Sequence, residues 1–180
     1  MARLVTTFKP LFKYVTDRSV GRNASNDRAD VLLVQFMLRV ATSGLRWPKS
    51  PPPAFGLPGR QRAILQYGPL SNSPVGTIQF LTGPPDGIPI VIDGICGQQT
   101  ISFIERFQQD MKDRQFGVED TVGQMAPYST TVSTVRTSVG LLNEVLQMAT
   151  LQGLLATIND LSKHYAFPRE LYYIFYTGQT

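Results

Sequence analysis

The chain has 180 residues, of which 42% are hydrophobic and 17% charged. That is one domain of ordinary size, or a small domain with substantial arms, carrying less charge than the roughly 25% of an average soluble chain. A lone cysteine, Cys96, excludes an internal disulfide framework, and a lone histidine, His164, argues against a zinc cluster or a two-histidine protease site.

The net charge of +4 is unevenly spread. Residues 1–60 hold ten Lys and Arg against three Asp, giving +7, while the remaining 120 hold seven basic and ten acidic residues, giving −3. This asymmetry predicts that the N-terminal third meets something anionic, meets the acidic part of a neighbouring copy, or is an ordinary solvated face. No apolar run reaches the roughly 20 residues of a membrane span. The first ten residues, Met1 to Pro10, lack the continuous apolar stretch and cleavage site of a signal peptide. The chain is therefore expected to be made in a cytoplasm, and to stay there or to leave by another route, as in a phage-like particle or an exported assembly.

Residues 1–20 read as an arm. Phe8, Leu11, Phe12 and Val15 are apolar, Pro10 interrupts any helix, and such an arm docks on the body or on a partner. Residues 26–41 read as a largely buried helix, capped by Asn26 or Asp27, with Val31, Val34, Leu38 and Ala41 along one face and Leu33, Phe36, Met37 and Val40 widening it. Residues 42–88 contain nine prolines and cannot be a long helix. The stretches 63–67 and 77–81 within this insertion look like short strands, which would make a β-hairpin. Residues 98–113 read as a second helix with Ile101, Ile104, Phe107 and Met111 on one face. Residues 134–164 read as a long third helix with a wide apolar stripe, in which Gly153 marks a bend. Residues 171–176 form an aromatic tail that would dock on the body or on another subunit.

The informative stretch precedes the second helix. Asp93-Gly94 is a turn signal, because Asp bonds nearby backbone N–H groups and Gly accepts positive φ. Gly97 offers a second tight point, and Thr100, Ile104, Phe107 and Gln108 follow on the helix. Upstream, the first helix carries Asp30, Val31, Val34, Gln35 and Leu38. Together these residues, in this order and spacing, resemble the peptidoglycan-binding-domain-like family, a small three-helix module. Ser19-Val20-Gly21 is similar to the turn before its first helix. Asp120-Thr121-Val122-Gly123-Gln124 is similar to its repeated turn, with Thr121 where glycine is expected.

The resemblance implies a three-helix module at 21–127 interrupted by the Pro-rich insertion 42–88; with the arm at 1–20 and a C-terminal helical extension at 128–180, which the resemblance does not cover, the expected fold is mainly α. The resemblance implies that Asp30, Val31, Gln35, Leu38, Asp93, Gly94, Gly97, Thr100, Phe107 and Gln108 mainly build the fold, with Gln35 and Gln108 bonding backbone near the turns. A bound glycan would be met by Asp93, Gln98, Gln99 and Arg106, whose amides, carboxylate and guanidinium are directional hydrogen-bond groups. Trp47 either stacks on a sugar or anchors a small core or interface.

Cys96 reads as a buried, inert thiol, and His164 as a cation suited to a helix end. The four glutamates form no paired-carboxylate site, and no phosphate loop, dinucleotide fingerprint or metal box is present. These features point to a non-enzymatic protein without cofactor, metal or nucleic acid. The first expectation is a wall-glycan binding module serving a phage-type or contractile secretion apparatus. The alternative is a structural subunit that reuses the fold to bind partners or copies of itself, and a weaker one is a wall-degrading enzyme.

Overall fold

The computed structural model describes residues 2–8, 11–42, 88–113, 116–127, 137–151 and 167–176. Their elements run β1 (Arg3–Phe8), β2 (Leu11–Val15), β3 (Val20–Gly21), α1 (Arg28–Thr42), α2 (Gln98–Asp113), β4 (Gln124–Met125), α3 (Ser138–Leu151) and α4 (Arg169–Tyr176). The chain is mainly α, with α1 at the centre and α2, α3 and α4 packed against it. No described helix is long and apolar enough to cross a membrane.

Helix α1 starts where Asp27 caps it: its Oδ1 accepts from Ala29 N at 3.1 Å and its carbonyl accepts from Val31 N at 2.9 Å. Asn26, the other predicted cap, has φ 53° and folds back instead, accepting from Gly21 N at 2.8 Å and donating to the Gly21 and Ala24 carbonyls. Val31 through Leu38 are all buried, so α1 is covered on every side and not amphipathic. Its last turn closes with Thr42 Oγ1 donating to Leu38 O at 2.8 Å.

Helix α2 matches its predicted span and is one-sided. Phe103, Ile104, Phe107 and Met111 face the core, together with Thr100, Gln108 and Asp110. Ile101 is only half-buried, because the stripe is centred on the 100/104/107/111 row and leaves Ile101 at its margin. Helix α3 occupies part of the predicted third helix; residues 134–136 and 152–164, with Gly153 and His164, lie outside the described residues. Thr137 caps it by accepting from Gly140 N at 3.2 Å. Val139, Leu141, Leu142 and Leu146 are buried apolar residues of this helix.

The arm is an antiparallel hairpin. β1 pairs with β2 from Arg3↔Val15 to Phe8↔Leu11, with an irregularity between Thr6 and Phe8. Its backbone is held to α3 by one side chain. Asn143 Oδ1 accepts from Tyr14 N at 2.7 Å, and Nδ2 donates to Tyr14 O and Val139 O, both at 2.9 Å. The amide occupies one edge position of β2 as a neighbouring strand would, and both groups are buried.

The aromatic tail is a helix. Leu171 of α4 is buried, Phe175 lies 5.8 Å from the Tyr14 ring, and Phe167 just before α4 packs edge-on to Phe36 at 5.0 Å. These rings tie α4 to both α1 and the hairpin. The Pro-rich insertion, its two predicted strands and Trp47 lie outside the described residues.

Candidate binding surface at the first turn

The turn between Ile92 and Gly97 is assembled on one buried amide. Gln35 Oε1, reaching from the middle of α1, accepts from Asp93 N at 3.1 Å and Gly94 N at 2.9 Å. Gln35 Nε2 donates to Asp93 Oδ1, Ile95 O and Thr100 Oγ1 at 3.0–3.1 Å. Asp93 Oδ1 also accepts from Ile95 N at 2.8 Å, and Gly94 sits at φ 74°. One side chain thereby satisfies a loop that would otherwise bury unpaired backbone.

A second turn repeats this plan. Gln108, one helix later, accepts from Gly123 N at 2.8 Å and donates to Thr121 O, Gln124 O and Ser138 Oγ. Thr100 stands in the first turn of α2, and Ser138 stands in the first turn of α3. Asp120 Oδ2 accepts from Ser138 N at 2.6 Å, placing a carboxylate at the N-terminus of α3. Thr121 does not disturb this turn, because the positive φ, 78°, falls on Gly123. Gly97 is not a tight point either: it has no positive φ, nothing within 4 Å of the place a Cβ would take, and its carbonyl accepts from Ile101 N as an N-cap. β4, following the second turn, pairs with β3, joining the lead-in of α1 to the segment after the second turn through Val20↔Met125 and Gly21↔Gln124.

Of the residues predicted to meet a ligand, Asp93 is at the surface, and hydrogen bonds from the Ile95 N–H and the Gln35 amide hold its carboxyl below the usual carboxylate range. Gln99 is committed to the fold: its Oε1 accepts from Val91 N at 3.0 Å and its Nε2 faces Pro89 O at 3.4 Å. Gln98 is exposed at the start of α2. Arg106 is exposed eight residues further along, about 12 Å up the helix, beside Asp110 at 3.8 Å. Asp93 and Arg106 are thus not gathered into one cluster, because the α2 rise separates them. Cys96 is half-buried, and burial pushes its thiol up from the ordinary value.

The first turn has neighbours that the sequence did not single out. Arg28, at the start of α1, donates from Nη1 to Asp93 O at 2.7 Å and from Nε to Glu170 Oε2 of α4 at 3.2 Å. Its stem lies over Gly94, where an added Cβ would stand 2.9 Å from Nη1 and 3.0 Å from Cγ. A further cation, Arg22, pairs with Glu105. Two arginines of the basic N-terminal third therefore meet acidic residues of the same chain. Among the described residues no group of three His, Cys, Asp or Glu could hold a metal ion. No protein-family model, curated protein or solved structure matches this chain.

Proposed function

We propose that residues 21–127, which carry α1, α2 and the two turns, form a peptidoglycan-binding-like module whose second turn also receives the start of α3, and that the protein works by binding wall glycan and not by catalysis. One observation carries this reading: the buried glutamines Gln35 and Gln108 each organise an Asp-containing turn and the first-turn hydroxyl of the next helix. The sequence motif that resembles the family is thereby used as one repeated structural device. In this reading the insertion 42–88 and the extension 128–180 are additions to the module, and the protein serves a phage-like or exported assembly. Of the proposed ligand groups, Asp93 is the one held in place by the turn itself. Co-sedimentation with purified sacculi at moderate salt tests the proposal. The protein should pellet with sacculi in a saturable manner, and its absence from the pellet overturns the reading.

A second reading, a structural subunit that docks partners or copies of itself, is favoured by a different observation. Ile88, Val91 and Ile95 are each more than half exposed near the start of α2. Light scattering across a wide concentration range addresses it, with a concentration-independent monomer counting against self-assembly.

A further inference from the structure

The C-terminal helix brings an aromatic ring to the charged edge of the first turn. Tyr173 is 64% exposed and lies one turn beyond Glu170, on the same side of α4. Tyr172 stands edge-on to it, with centroids 6.3 Å apart and planes at 87°. Glu170 is bonded to Arg28, and Arg28 to the Asp93 carbonyl, so ring, carboxylate, guanidinium and turn follow one another across the surface. The Arg28 and Glu170 side chains remain 57% and 46% exposed. Asp93 adds a carboxylate whose Oδ1 takes the turn bonds, while Oδ2 takes none among the described residues.

This combination suits a sugar. A pyranose offers an apolar C–H face, which stacks on an aromatic ring, and a rim of hydroxyl and amide groups, which needs donors and acceptors in its own plane. Arg28 and Glu170 are already oriented by each other and by the bare backbone of Gly94, so little side-chain freedom is lost when they bind. We propose that Tyr173, Glu170, Arg28 and Asp93 form a shallow subsite for an N-acetylhexosamine unit of a β-linked glycan, with the Tyr173 ring as its stacking platform. The proposal rests on the wall-binding reading and adds to it a ligand class and a contribution from α4, which lies outside the module.

The test uses the full chain with the N-acetylglucosamine tetramer and, separately, with sacculi. The tetramer should shift the backbone amide signals of Gly94, Glu170 and Tyr173 in a saturable titration. Tyr173→Ala should weaken tetramer binding by about tenfold, in the range of a lost aromatic anchor. Tyr173→Phe should keep it, since the ring remains, and Glu170→Gln should weaken it while leaving thermal unfolding unchanged. Binding of sacculi without the tetramer, or equal tetramer binding by wild type, Tyr173→Ala and Glu170→Gln, overturns the subsite and leaves the wall-binding reading standing. Failure of the wild type with both ligands overturns the two together.

Discussion

Gln35 is the residue on which the first turn depends most. Its amide stands within hydrogen-bond reach of five groups, its two N–H shared among three acceptors, and these groups have little other recourse, since Gly94 N and Thr100 are buried with it. Gln35→Glu replaces the N–H donors by a second acceptor, aimed at Asp93 Oδ1 and the Ile95 carbonyl, neither of which can donate to it. It should cost at least about 3 kcal/mol, because a buried acceptor is left facing other acceptors, one of them a carboxylate. A fall in the urea midpoint with unchanged denaturant slope is the expected result. The two glycines beside it behave differently despite sharing one motif. Gly94→Ala forces a left-handed φ on a side chain and presses on Arg28, which should cost about 1–2 kcal/mol. Gly97→Ser has open space and adds a capping hydroxyl, so its unfolding free energy should equal or exceed that of the wild type by a few tenths of a kcal/mol. Equal losses at the two positions would contradict this assignment.

At the scale of elements, the hairpin and α3 are joined chiefly through Asn143. Removing that amide by Asn143→Ala leaves Tyr14 N and O buried without their partner and should cost about 2–4 kcal/mol. Hydrogen exchange should then show β1 and β2 losing protection while the middle of α1 keeps it, because α1 is covered by other elements. The sequence contained part of this organisation. The bounds of α2 and nearly those of α1 follow from 3.6-residue periodicity, helped at α1 by the Asn26-Asp27 capping signal, all of which is local. Gly97, by contrast, read as a tight turn point, and its role as the α2 cap emerged only in the structure. The roles of Gln35 and Gln108 followed only from the family resemblance, since Gln35 bonds a turn that lies 58–59 residues away in the chain. The hairpin was not readable, because the amide that holds Tyr14 lies 129 residues away in the chain. Asn143 sits among Leu141, Leu142 and Leu146, and only the unlikeness of an amide to its neighbours could have flagged it. The strip at the first turn was hidden for the same reason. Arg28, Asp93 and Glu170 come from three separate segments, and their meeting depends on how α4 packs.

At the scale of the molecule, part of the basic charge of the N-terminal third is answered within the fold among the described residues. The +7 of the first 60 residues is partly answered by Glu105 and Glu170, which pair with Arg22 and Arg28 at the surface. Such exposed pairs contribute little to stability each. Two buried or bonded carboxylates matter more, and they act in opposite directions. Burial raises the carboxyl of Asp30 above its ordinary value, even though it accepts from Arg18 N at 3.1 Å and Asp17 N at 3.4 Å. The folded state therefore holds that proton more tightly than the unfolded chain, and stability falls as pH rises from about 3.9 through the raised value. Asp93 has a lowered value, so its contribution is complete above about 3.9 and is lost as pH falls through the folded value. Urea unfolding from pH 2 to 7 separates the two. Asp93→Asn should remove the part of the acid-side loss that lies below about pH 4. Asp30→Asn, which keeps an acceptor for one of the two N–H groups, should flatten the decline above it. If Asp30→Asn left the slope above pH 4 unchanged, burial of Asp30 would not be the source of that decline, and the wild-type profile would have to come from the other carboxylates that line the fold.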